Sequence, residues 1–580
     1  MMNFVARRPC SVIACVLLAS ASMNAMAHAK TLFVRAGAAA GGDGSKAAPF
    51  DSLAAVERAS MPGDEIVVLP APLSVAPLNG GIALKADQKL IGGGRAVNGD
   101  DGLRLAPRIT NSDPRSNSGD AVVLADGDEV GNLVITKSVR GGIYGSNVSA
   151  VRIYGNNLSG TNTSCTAGLY VYFPGNIPLL PNGWASIMID ESRGNVWLSI
   201  ENNYIHDGTC SDGIDIRATA DAKVAARVSA NRITRLAQGP RMLSVLAIGM
   251  QTRNSAVLSV DSYGNAETYI GSAGADCEGL FANQAGGSLT WSIDRNTFAH
   301  GIGGGSCNGA EFYIGAGIDT ANLYISHSIF AYDPGDMIEE DNNGGTGSVM
   351  NLTLDGVSVS HTSFPRKLPP EPQFTNAQYM DNLGRCMDQY SWGHRNVNNL
   401  RVIDSRFADC YGDGIGSDVT GGTYTFGRPT AADPQPKGMY LGDAKGDSVS
   451  IDVENSTIED SGQYSLHFAN HAAMADLAIR VRNSRLDGAG GRAVVGIDQD
   501  GTTRRTHIDL GGKGRGSPGR NCIVGGTHLA AEVAGYDVLA RANWWGRAGG
   551  PAARDVSLQD GRLSVSPALR SPPSSCFNRS

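Results

Sequence analysis

The sequence predicts an all-β chain wound as a right-handed parallel β-helix, and three observations carry that expectation. Short segments of alternating apolar residues, each ending in an Asn, Asp or Ser corner, recur about every 20 to 35 residues. Of 580 residues 75 are Gly, while 18% are charged and 6% aromatic, a balance that suits short strands joined by tight turns rather than a helical bundle. No linker divides the chain, so its length reads as one solenoid rather than several domains.

Taken in order, residues 1–29 read as an export signal: Arg7 and Arg8 precede an apolar run from Ser11 to Ala21, and small residues follow at Ala25, Ala27 and Ala29. The run is shorter than the roughly 20 residues that span a bilayer. The solenoid is expected over 30–570, with a tail at 571–580. Thr31-Leu-Phe-Val-Arg35 is a first strand, Gly41-Gly-Asp-Gly-Ser45 a turn, and Asp51 to Ser60 an amphipathic helix whose Leu53, Ala54, Val56 and Ala59 cap the open end of the stack. The coils then declare themselves at Val151–Leu158, Leu198–Ile205, Trp291–Phe298, Leu323–Phe330, Arg401–Phe407, Ile451–Ile458 and Ile479–Leu486. Their corners carry Asn156, Asn202, Asn296, Ser328, Ser405, Asn455 and Asn483, because Asn tolerates left-handed backbone and can bond its copies in neighbouring coils. A propeller would need a regular period near 40 residues, and antiparallel Asn-Gly hairpins are missing.

Outside the leader stand eight cysteines: Cys165, Cys210, Cys277, Cys307, Cys386, Cys410, Cys522 and Cys576. An even number in an exported chain implies disulfides, and the absence of C-x-x-C pairs argues against zinc. Neighbours in sequence fall one to two coils apart, which favours sequential pairing among the 105 possibilities. A net charge of -8 and a pI near 5.7 exclude general attraction to nucleic acid or anionic lipid. Together these features predict a secreted or periplasmic monomer without a membrane span.

The pattern resembles the pectate-lyase-like superfamily of right-handed β-helix proteins. The resemblance runs from Thr31 to Pro567 and includes the capping segment and Asn543-Trp-Trp-Gly546 followed by Gly550-Pro551. It implies the fold and a polysaccharide target, but no particular reaction. Ser211-Asp-Gly-Ile-Asp215 is similar to the first acidic motif of polygalacturonases, whose remaining elements are missing. Asp333-Pro-Gly-Asp336 is similar to the Asp-Pro-His-Asp motif of alginate epimerases, with Gly335 in place of the histidine.

Aligning the coils sets Ile214, Ala310, Ile338 and Ile415 inward, so strand alternation turns Asp215, Glu311 and Glu339 outward in one file, with Asp212, Asp336 and Asp413 in another. Carboxylates on adjacent coils, about 5 Å apart, either raise one another's pKa or attract a cation. The expected catalytic group is Asp215, Glu311, Glu339 and Asp336 with Arg217, His394 and Arg395. Calcium is the expected ion, at Glu339, Glu340 and Asp341. Three insertions, 172–186, 361–385 and 420–439, should wall a groove in which Trp184, Tyr390, Trp392 and Lys437 meet sugar. Two functions follow as expectations: cleavage of a polysaccharide by β-elimination or hydrolysis, or a non-catalytic surface that binds glycan or protein partners.

Overall fold

A computed structural model describes residues 29–94, 105–173, 177–272, 276–303, 307–315, 319–343, 346–363, 384–391, 393–419, 423–424, 439–440, 446–470, 475–489, 493–499, 505–512, 516–525 and 529–577. The leader and most of the second and third insertions, with Trp392 and Lys437, lie outside these residues.

The described chain is a parallel β-helix. Each coil passes through three faces. Residues 187–191, 195–201 and 204–208 make one such coil, and 214–218, 223–229 and 232–236 pair with them in parallel one rung higher. Third-face strands form a thirteen-stranded sheet; those of the first and second faces join in a thirty-stranded one. The junction is made by two long strands, Val245–Tyr263 and Cys277–Asp294, which bend from one face to the next at Asn254 and at Gly286-Gly287, all three at positive φ.

The interior is built from columns of aliphatic residues that the period-2 alternation turns inward. On the first face the column runs Ile143, Ile187, Ile214, Ile248, Leu280, Ala310, Ile338, Met387, Ile415 and Leu466, all buried. At the bend into the third face, a left-handed residue is followed by a buried polar rung. Asn156, Asn203, Asn231, Asn265, Asn296 and Ser328 form one run of these rungs. The side-chain oxygen of each rung above Asn156 accepts the backbone N–H of the rung below, at 2.7 to 3.1 Å. Ser405, Ser456, Ser484, Asn521 and Asn543 extend the ladder upward. Asn202, Asn455 and Asn483 are therefore the left-handed corner residues (φ 55°, 52° and 51°), and the rung is the next residue in each case.

The helix, Leu53–Ala59, caps the first coils through buried Leu53 and Val56, while Ala54 and Ala59 face solvent. Four disulfides join Cys165 to Cys210, Cys277 to Cys307, Cys386 to Cys410 and Cys522 to Cys576, the sequential pairing. They fit an oxidising compartment. No described helix is long and apolar enough to cross a membrane.

Candidate functional site

One outward file of the first face reads Tyr144, Met188, Asp215, Gly249, Phe281, Glu311, Glu339, Asp388, Gly416 and His467 in successive coils. The parallel outward file, two residues on, reads Asp190, Arg217, Gln251, Asn283, Tyr313, Asp341, Tyr390 and Asp418. In the lower coils the two files mix apolar and amide side chains with Asp190, Asp215 and Arg217, and from Glu311 upward acids predominate.

At the centre of the acidic part, Asn308 donates from Nδ2 to Glu339 Oε2 at 2.7 Å and to Glu311 Oε2 at 3.5 Å. Glu278 faces Asn308 one coil lower. Burial, then the charges of Asp341, Glu311, Asp336 and Asp388, push the Glu339 carboxyl well above the usual range. Burial also raises Glu311, but hydrogen bonds from Glu278 and Asn308 favour its charged form and hold it at about 7. Burial and the Glu311 charge raise Glu278 strongly. Glu311 is half-buried, whereas Glu339 and Glu278 are only 6% and 5% exposed, so Glu311 is the acid that opens to solvent.

Above this pair lies a cationic anchor. The Arg385 guanidinium is fully buried, with Nε on Asp413 Oδ2 at 3.0 Å and Nη1 on Asp388 Oδ1 and Asp418 Oδ2 at 2.6 Å each. It lies over Gly416, where an added Cβ would come within 2.5 Å of the guanidinium carbon, so the missing side chain is what makes the seat. Asp336 accepts the Arg385 backbone N–H at 2.7 Å. His467 sits between Asp413 (3.1 Å) and Asp498 (3.0 Å). Burial pulls its pKa down, but the two carboxylates outweigh that and raise it to about 9, so the ring is protonated at neutral pH. Burial raises Asp413, and Arg385 and His467 together bring it below the usual range. Among the described residues, Glu278 Oε2, Asn308 Oδ1, Asp341 Oδ1 and Asp388 Oδ2 have no hydrogen-bond partner although each is sealed from solvent.

Of the acids and bases expected from sequence, Glu311, Glu339, Asp336, Asp341 and Tyr390 come together here. Asp215 stands three coils below Glu311, buried between Leu169, Leu246 and Gly249, with neither carboxylate oxygen bonded among the described residues. Arg217 is ion-paired with Asp190 at 2.5 Å. His394 and Arg395 occupy the corner between the first and second faces, where His394 bridges Thr346, beyond the strand 387–391 that carries Asp388 and Tyr390. Trp184 is 8% exposed, packed under Arg140 and against Tyr144, and offers no ring face to a sugar.

The run Glu339-Glu340-Asp341 does not fit one calcium ion. Alternation turns Glu339 and Asp341 outward and Glu340 inward, where it lies in a core file between Phe312 and Gln389 and accepts from Gln389 Nε2 at 3.1 Å. Among the described residues, the one trio of potential ligand atoms within 4.8 Å of one another is Cys277, Cys307 and Asp333, and its two sulfurs are already joined.

Arg385, Asp388, Asn308, Glu278 and His467 complete the site without having been singled out in the sequence. The signal for the first two was present: Met387-Asp-Gln-Tyr-Ser391 aligns with Ile338-Glu-Glu-Asp-Asn342, but the insertion ending at Arg385 interrupts the register just before it. The chain matches no protein-family model, no curated protein and no solved structure.

Proposed function

We propose that the chain is an exported glycoside hydrolase acting on a polysaccharide laid along the first face, with Glu339 as proton donor and Glu311 as nucleophile. One observation carries the reading: two carboxyl groups in register on adjacent coils, bridged by Asn308, one held protonated and the other kept ionisable. Adjacent coils lie about 4.8 Å apart, close to the carboxyl spacing of retaining enzymes. Glu339 gives its proton to the glycosidic oxygen as Glu311 bonds the anomeric carbon and the C–O bond breaks. Water, deprotonated by Glu339, then displaces Glu311 and restores both groups.

Elimination has less support, because it needs a base to take a carbon-bound proton. Arg385 is saturated by three carboxylates, His467 is already protonated, and Arg217 is paired with Asp190 well below the acids. The test is incubation of the purified chain with neutral and uronic-acid polysaccharides, counting reducing ends and ultraviolet-absorbing unsaturated ends. New reducing ends without unsaturation are expected, with loss of about 10³-fold or more in E339Q and E311Q. Unsaturated ends would replace hydrolysis by elimination. No product from any polymer would leave a glycan-binding solenoid.

A further inference from the structure

The corner at which each coil leaves the third face is left-handed through the middle of the solenoid. In the register of the third-face strands it is Asp207 and then Arg235 in the lower coils, Tyr269, His300, Tyr332 and His361 in the middle ones, and Asp409 and then Asp460 above. All eight have φ between 52° and 63°. Gly, Asn and Asp adopt that backbone most readily, so four consecutive rings are a departure that the corner itself does not require. The rings stack on one another, with centroids 5.2, 4.9 and 4.4 Å apart and planes 9°, 10° and 22° from parallel. That spacing follows the rung rise of about 4.8 Å, so each ring lies across the solenoid axis and turns its edge outward. Tyr269 and Tyr332 are 47% and 50% exposed, and His300 and His361 are exposed as well. The four make a ridge of ring edges, alternately phenol and imidazole. Beside it the outward residues of the third face are Thr268, Ala299, Ala331 and Ser360, all small and uncharged.

The two ends of the ridge carry opposite charge. Below it, exposed Arg232 lies over the Tyr204 ring and makes no ion pair among the described residues, next to the Arg235–Asp207 pair. Above it, exposed Asp460 also makes no ion pair among the described residues. Partial desolvation, then the charges of Glu459, Asp409 and Asp487, raise its pKa, so the upper end is short of cations.

We infer that the ridge is the contact of a two-fold dimer, in which a second copy of this chain lies antiparallel, ridge against ridge, with the axis between His300 and Tyr332. Tyr-His-Tyr-His reversed is His-Tyr-His-Tyr, so each tyrosine hydroxyl meets an imidazole: Tyr269 faces the partner's His361, and His300 faces the partner's Tyr332. Either group of such a pair can donate. The pitch matches because both combs are the same comb. The same operation sets the Arg232 coil opposite the partner's Asp409, with the partner's Asp460 on the next rung. A parallel alignment would set Tyr against Tyr and like charge against like. A two-fold contact closes on itself, so association stops at two copies. From the coil of Arg232 to that of Asp460 is six rungs, or about 29 Å. A contact of that size is at the small end of specific interfaces and fits dissociation in the micromolar range. The pairing stands in place of the expected monomer and is independent of any reaction on the first face.

The experiment is sedimentation equilibrium of the intact chain over a concentration series at low and high salt, repeated on H300N/Y332N, R232E and D460K. A dimer that weakens with salt is expected. H300N/Y332N, whose asparagines suit left-handed backbone, should stay monomeric throughout. R232E and D460K should each weaken association by about 10-fold or more. Lysine fits this corner, since Lys137 occupies it two coils below Asp207. Mixing R232E with D460K should restore the dimer, because the two substituted charges then face each other, as do the two native ones. A monomer at every concentration, a dimer that survives H300N/Y332N, or a mixture no tighter than its components would each overturn the pairing. Circular dichroism reports whether each variant is folded. If H300N/Y332N is not, the charge-reversed pair, which leaves the ring stack intact, decides the question.

Discussion

Glu340 is a carboxyl group that the solenoid has swallowed. It is fully buried in a core file, one oxygen bonded to Gln389 and the other without a hydrogen-bond partner among the described residues, and burial pushes its pKa up to about 8. The folded state therefore holds this proton more tightly than the unfolded chain does. The stability so gained is complete below the ordinary carboxylate range and is lost as pH rises through about 8. E340Q, which keeps the shape and can still bond Gln389, should show a shallower fall of Tm between pH 6 and about 9 than the parent. Parallel slopes would show that Glu340 is not proton-linked to folding. The same residue marks a limit of reading by composition. Three successive acids look like one ion site until the pleat separates them, and alternation, a two-residue rule, was enough to put Glu340 on the opposite side from its neighbours.

Elements are held in register less by strand pairing, which repeats along any parallel sheet, than by the polar ladder at the bend. Asn231 shows the mechanism. Its Oδ1 accepts from the Asn203 backbone and side chain at 3.0 Å each, and its Nδ2 donates to the Ile200 carbonyl at 2.9 Å, so removing it strands groups in two coils. Asn231→Ala should cost about 1 to 3 kcal/mol per buried group left unpaired. Asn231→Ser should cost less, since Ser328, Ser405, Ser456 and Ser484 serve as rungs higher up. Equal midpoints for the two variants in denaturant would remove the ladder from the account. The corner was visible in the sequence because Asn is scarce inside strands and frequent at left-handed turns. The rung itself was displaced by one residue wherever two candidates adjoin, as at Asn202-Asn203 and Asn455-Ser456. Both can take positive φ or bond inward, and only the register with the next coil separates them. The first insertion was harder to read. Expected to wall a groove, Ala167–Phe173 and Ile177–Gly183 instead pair as an antiparallel hairpin, with Leu169, Val171 and Trp184 packed on Met188, Leu246, Phe281 and Tyr313 of the first face. Pro178 and Pro181 disguise its second strand as loop, although a strand paired on one edge tolerates proline.

At the scale of the whole molecule a solenoid is quasi-one-dimensional, so its coils exchange stability with neighbours rather than with one shared core. That is why the fold class was legible from repeats while the site was not. The repeats set which residues face outward, but the insertion before Arg385 hid which coil carries the anchor. It also implies that damage at an end should stay at that end. The Cys522–Cys576 disulfide ties the terminal segment back to the third face, helped by Ser575 on the Arg520 carbonyl and by Arg485 on the Cys576 carbonyl. The loop it closes spans 54 residues, for which chain entropy gives a contribution of about 4 kcal/mol. In the C522A/C576A double variant, amide exchange should quicken from about Ser484 to the C-terminus. The coils that carry Asp388, Glu339 and Glu311, three, four and five rungs from that of Cys522, should keep their protection, and any hydrolytic activity should persist until the fray reaches them. Uniform acceleration along the chain would mean that the solenoid unfolds as one cooperative unit, and the disulfide would then stabilise the active coils as directly as the terminal ones.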